Sequence, residues 1–208
     1  AWAGSALLLP EARWMIDGIE LADSFVFNPH KWLGVNFDCS AHFVRDAAAL
    51  RSTLSVMPPY LVGQETGRVT DYRDWSIPLG RRFRALKLWF VIRSYGIEGL
   101  QAMLRRHIAL TDELAAWIRA APNFELTSEP SLALLSFRYH PSGVDDEAAL
   151  DRLNQELLER INDDGRIYLT QTRIGGRFVL RVSIGQTTTE RRHVEAAWAV
   201  IRELAAQI

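Results

Sequence analysis

The sequence predicts an α/β fold: the closing part of an α/β domain, followed by a smaller α+β unit. Three features carry this. Short Phe- and Val-rich runs end in turn residues, as in Phe25–Phe27 before Asn28-Pro29. Between them lie stretches with apolar residues at helical spacing. Finally, a Pro- and Gly-rich interval over 56–80 has no sustained period, and a loop that long in a compact chain is functional or mobile.

Taken in order, Pro10 to Ala22 reads as a helix, with Ala12, Met15, Ile16 and Ile19 on one face and proline in the first turn. It leads into the strand Phe25 to Phe27. A second strand, Ser40 to Val44, precedes an Ala-rich helix from Asp46 to Leu54 with Asp46 as its cap. After the long loop, helices are expected at Arg81 to Tyr95 and Ile97 to Ala120, broken at Gly96 and Gly99. In the second of these, Leu100, Leu104, His107, Thr111, Leu114 and Ile118 share a side, which makes His107 a satisfied core histidine rather than a ligand. Strands then follow at Leu132 to Tyr139, Ile167 to Thr172 and Phe178 to Ile184, with a helix at Asp145 to Asp163 after the first. A last helix has Thr187 and Glu190 at capping-box spacing and Val194, Ala197, Trp198 and Ile201 on its buried face. The expected domains are 1–96 and 97–208.

Composition excludes several classes of function. The 208 residues are 48% hydrophobic, enough for a proper core, and the net charge of −1 gives no reason to expect nucleic acid or an anionic membrane as partner. The cluster Arg81-Arg82-Phe83-Arg84 reads as a solvated helix start with local ion pairing. No apolar stretch is long enough for a membrane span, and the single cysteine, Cys39, read as a small buried residue, agrees with a reducing compartment. A cytoplasmic location is expected. The five histidines show no metal-ligand spacing, so no metal is expected.

One lysine stands out. Lys31 lies in "DSFVFNPHKWLGVNF" between two runs of large apolar residues. Burying an ammonium group there is costly, so it either snorkels to water or is chemically employed. A strand that stops at Asn28-Pro29 presents His30 and Lys31 at its tip, where open α/β sheets keep reactive groups.

The motif "NPHKW", followed by "VNFDCSA" and "TDYRDWSIPLGRRFRALKLWFVIRSYG", resembles the pyridoxal-phosphate-dependent aromatic-L-amino-acid decarboxylase family, the group II decarboxylases. The likeness runs from "AWAGSA" to "RFVLRVSIG". It implies the end of an aminotransferase-like (fold type I) large domain followed by a small C-terminal domain. It also implies pyridoxal 5'-phosphate as cofactor, an aromatic L-amino acid as substrate and a homodimer with its site at the interface. Within that likeness Lys31 forms the internal Schiff base, which suits a lysine made nucleophilic by desolvation or a neighbouring cation. Asn28 and His30 match positions near the cofactor phosphate and the internal imine, and Ala1 matches the alanine that backs the pyridine ring. Tyr60, 29 residues after Lys31, matches the acid that completes decarboxylation. Gly80 matches a residue reaching across the dimer interface, and glycine there favours an aromatic substrate. Arg181 is given either a place near the substrate or an ion pair on the outer face of its strand.

By the same resemblance, the aspartate that binds the pyridine nitrogen belongs to an earlier half of such enzymes, so the chain is expected to be a fragment that is inactive alone. Two other readings are an aromatic aldehyde synthase and a non-catalytic dimerisation partner. Having both Lys31 and Tyr60 speaks against each. His42 stands where relatives have an apolar residue, for which there is no physical account.

Overall fold

In the computed structural model, which describes residues 1–56 and 68–208, the chain opens on three short 3₁₀ stretches, Ala3–Leu8, Pro10–Ile16 and Ile19–Leu21. The single helix expected over 10–22 is not formed. Asp17 is extended and Gly18 takes φ 86°, so the chain turns there. Of the anticipated apolar face only Ala12 is buried, while Met15 and Ile19 are exposed. A helix draws most of its stability from packing such a face, and the short tight turns fit its lack of cover.

Strand β1 (Ser24–Phe27) pairs antiparallel with β2 (Ala41–Val44), placing Phe25 opposite Phe43 and Val26 opposite His42. The rings of Phe25, Phe27 and Phe43 lie 6.2–6.5 Å apart on this hairpin. Helix α1 (Ala47–Leu54) follows, and the Asp46 carboxylate accepts from the Ala48 and Ala49 N–H groups as an N-cap. Within the expected loop, Tyr72–Trp75 forms a 3₁₀ turn capped by Asp71. Helix α2 (Arg84–Ala120) is interrupted at Gly96 alone (φ 64°, ψ 171°), a conformation open to glycine and strained for other residues. By its contacts the chain divides into Ala1–Ile97 and Glu98–Ile208.

The first unit has a small core in which Ala6, Leu9, Trp32, Leu33, Val35 and Cys39 are buried. Trp32 is fully buried and stacks on Trp2 with centroids 4.3 Å apart. Elsewhere this unit shows much apolar surface: Phe37 is 83% exposed, Phe83 74% and Phe90 54%.

The second unit is better closed. Its antiparallel sheet has the order β3-β4-β6-β5, from β3 (Phe124–Ser131), β4 (Leu134–Tyr139), β5 (Thr170–Ile174) and β6 (Arg177–Ser183). Helices α3 (Glu147–Asp164) and α4 (Arg191–Ala205) complete it, with α3 against β4, β6 and α4. Phe137, Leu135 and Leu180 from the sheet, with Leu104, Ile118, Leu157 and Ile201 from the helices, are essentially inaccessible. Asn154 of α3 is buried with them. Its amide donates to the Tyr139 and Leu150 carbonyls at 2.8 Å and accepts from the Tyr139 N–H at 2.7 Å. Among the described residues of this unit, Tyr168 is the one large apolar side chain left mostly in the open. No described helix is long and apolar enough to cross a membrane.

Candidate active site

The strand-end turn forms as its residue types dictate. β1 stops at Phe27, and Asn28-Pro29-His30-Lys31 closes a turn in which the Lys31 N–H donates to the Asn28 carbonyl at 2.9 Å. Proline presets the second position of such a turn. A second turn follows at once, through Gly34 N–H to Lys31 O at 3.4 Å, with Gly34 at φ 67°. Lys31 thus sits where two turns meet, its side chain exposed while Trp32 and Leu33 anchor the backbone in the core. Of the apolar flanks of this lysine, Trp32, Leu33 and Val35 are buried, while Val26 and Phe37 are exposed. Among the described residues no group is bonded to its ammonium.

Around it, main-chain bonds gather three of the residues singled out in the sequence. The Asn28 N–H donates to the Ala1 carbonyl at 2.8 Å. Ser40 Oγ donates to Asn28 Oδ1 at 2.7 Å, which leaves the Asn28 Nδ2 hydrogens as donors for another partner. The His30 imidazole is clamped by the Cys39 peptide, with Nδ1 2.6 Å from the carbonyl oxygen and 3.0 Å from the N–H. Its Nε2 has no partner among the described residues. The Phe37 ring meets the imidazole edge-on at 4.9 Å.

Ala1, Asn28, His30 and Lys31 therefore come together. Tyr60 lies outside the described residues. Gly80 occupies an exposed stretch with nothing within 4 Å of where a side chain would begin. Arg181 belongs to the second unit, exposed on β6 opposite Ser136 and Thr170, and it makes no ion pair among the described residues.

Sequence reasoning passed over a further cluster. Arg84 Nε donates to Asp38 Oδ2 at 3.0 Å, and Arg82 lies 3.6 Å from Asp38 Oδ1. Arg81 donates to the Tyr72 carbonyl and Ser76 Oγ, so the basic cluster is engaged locally, as expected. Burial pushes the Asp38 carboxyl up, but the Arg84 hydrogen bond and charge outweigh it and hold it below the usual range. Asp38 and Arg84 are 46 residues apart, so only their like placement in the quoted motifs could have hinted at the pair.

An exposed primary amine beside an amide and an imidazole, each with donor capacity directed away from its anchor, suits an aldehyde that carries an anionic group. Among the described residues no set of three or more His, Cys, Asp or Glu side chains could hold a metal ion.

Residues 1–140 match the model of the pyridoxal-dependent decarboxylase conserved domain. The chain belongs to that family. It is 47% identical over its whole length to the aromatic-L-amino-acid decarboxylase of Rattus norvegicus, of which it spans 42%. It is 44% identical to the phenylacetaldehyde synthase of Arabidopsis thaliana, spanning 43% of that protein. The Oryza sativa TDC solved with PLP and tryptamine superposes on all of the chain with a TM-score of 0.92 at 38% identity, and the chain covers 43% of it. The pyridoxal-dependent decarboxylase fold of mixed helix and sheet is thereby established for this chain, which spans about two-fifths of the length of these relatives.

Proposed function

We propose that the complete protein converts an aromatic L-amino acid to the corresponding amine with loss of carbon dioxide, using pyridoxal 5'-phosphate attached at Lys31. The observation that carries this is the paired turn that exposes Lys31 directly after Asn28-Pro29-His30. The identity to an aromatic-L-amino-acid decarboxylase supports the substrate class. When bound, pyridoxal phosphate supplies the sink for the electron pair left as the α-carboxylate departs.

The chain's own residues have separate tasks in this proposal. Lys31 holds the cofactor covalently. Asn28 Nδ2 and His30 Nε2 donate to its phosphate, and Ala1, which has no side chain beyond Cβ, leaves room for a flat ring. Tyr60 delivers its hydroxyl proton to the α-carbon once carbon dioxide has left, so that carbon gains a C–H bond and the amine is released. The family resemblance gives Gly80 a place at the dimer interface, and Arg181 either a place near the substrate or one on the outer face of its strand. Residues 1–96 are the end of the cofactor domain and 97–208 the small domain. The exposed Phe83, Trp89 and Phe90 of α2 and its approach support a homodimer, and the single cysteine agrees with a cytoplasmic location.

The second reading within the family, an aldehyde synthase, has the likeness to phenylacetaldehyde synthase in its favour. Product analysis separates the two. With an aromatic amino acid, the complete enzyme yields amine and carbon dioxide without peroxide, and Tyr60→Phe diverts product to aldehyde, ammonia and peroxide in the presence of oxygen. Aldehyde and peroxide from the unaltered enzyme would favour the synthase instead.

A further inference from the structure

We infer that Asp38 is a positioning residue for the His30–Lys31 turn: paired with Arg84 and Arg82, it fixes the segment whose Cys39 peptide clamps the His30 imidazole, and so it tunes affinity for the cofactor phosphate. This presupposes the pyridoxal phosphate reading given above.

The chain of contacts is continuous. Both Asp38 oxygens face guanidinium groups, Oδ2 at 3.0 Å from Arg84 and Oδ1 at 3.6 Å from Arg82. The next residue, Cys39, is buried, and its Sγ lies 3.9 Å from the Arg84 carbonyl, so two consecutive residues are tied to the start of α2. The Cys39 peptide then holds His30 at both its main chain and its ring. The Cys39 carbonyl accepts the His30 main-chain N–H at 3.2 Å, and the Cys39 N–H donates to Nδ1 at 3.0 Å in the tautomer that leaves Nε2–H as a donor, with the carbonyl oxygen 2.6 Å from the same nitrogen.

The imidazole is therefore located by residues 38 and 39 rather than by its own turn. Its neighbour Phe37 is 83% exposed and contributes one ring edge, which is little to hold the segment if the carboxylate lets go. Asp38 and Arg84 are each about one-third exposed, and an isolated pair at such a site contributes little to global stability. The predicted effect is accordingly local. A clamp that loosens by a fraction of an ångström misdirects Nε2 without unfolding the protein.

The test uses the complete enzyme with Asp38→Asn, Asp38→Glu and Arg84→Met. Hydrogen exchange of the cofactor-free protein reports on the Cys39 amide, and titration with pyridoxal phosphate gives the dissociation constant. Expected for Asp38→Asn and Arg84→Met are faster exchange at Cys39 and about tenfold weaker cofactor binding, in the range for partners that orient a ligand-holding group. Asp38→Glu, which keeps the charge, recovers part of both, and the double variant is no worse than either single one.

Unchanged exchange at Cys39 in Asp38→Asn overturns the clamp whether or not cofactor binds. Faster exchange with a dissociation constant within about twofold of the unaltered enzyme makes the pair merely structural and overturns the positioning role. If the unaltered enzyme itself fails to take up pyridoxal phosphate, the cofactor reading falls first, and the proposal falls with it.

Discussion

Gly4 and Phe27 meet so closely that a Cβ on Gly4 would lie 2.4 Å from the Phe27 Cβ and 3.2 Å from its Cγ. Absence of a side chain at Gly4 lets the first 3₁₀ stretch lie against β1, just before the turn that carries Lys31. Gly4→Ala is therefore predicted to destabilise the protein by roughly 1–3 kcal/mol, as overpacking does. Denaturant unfolding of the complete protein measures it; an unchanged midpoint would mean that Ala3–Leu8 can shift without cost.

Asn154 joins α3 to the end of β4 through two hydrogen bonds to Tyr139, with a third to Leu150 of its own helix, in a fully buried site. Asn154→Ala strands the Tyr139 N–H and carbonyl, for an expected loss of at least about 2 kcal/mol. Asn154→Asp keeps the acceptor for the Tyr139 N–H but sets a carboxylate against two carbonyl oxygens, and is expected to be at least as harmful. Chemical unfolding followed by tryptophan fluorescence compares them. An Asp variant as stable as the parent contradicts the bonding pattern.

His107 is buried, and burial, aided by the nearby Arg106 charge and opposed by a bond to the Gln186 backbone, lowers its pKa to about 4. The unfolded chain binds a proton at His107 below about 6.5 while the folded chain does not, so stability is full above that pH and falls as pH drops toward 4. The loss attributable to this group reaches about 3 kcal/mol. His107→Gln flattens that part of the stability profile between pH 6.5 and 4. A profile of the same slope in the variant would assign the titration elsewhere.

What the sequence made legible follows from where local chemistry decides the outcome. The Asp46 cap, the break at Gly96 and the Asn28-Pro29 turn each depend on residues within a few positions, and each appears as expected. Strand β3 is hard to read because "FELTSEPS" alternates only over Phe124–Thr127 before turning polar. It survives as an edge strand with two register irregularities and with Pro130 in it, where a missing N–H is tolerated. The strand expected from Leu132 begins at Leu134, since Leu132 at φ 54° makes the turn. Gly175 and Gly176, both at positive φ, close a two-residue hairpin that pulls β5 forward to Thr170–Ile174. The capping box of α4 lies at Glu190 and His193 rather than Thr187 and Glu190. Around the candidate site, the turn could be read from "NPHK", but the Cys39 clamp uses main-chain atoms, which no side-chain pattern encodes.

The most direct test of the account is to locate the cofactor attachment. The chain holds two lysines, Lys31 and Lys87, so borohydride reduction of the complete enzyme loaded with pyridoxal phosphate, followed by peptide mass analysis, has a clear outcome within it. The adduct is predicted on the peptide containing Lys31, and Lys31→Ala is predicted to abolish both that adduct and amine formation from aromatic amino acids. An adduct on Lys87 or elsewhere, or full turnover by Lys31→Ala, would contradict the assignment of the turn after β1 as the reactive centre.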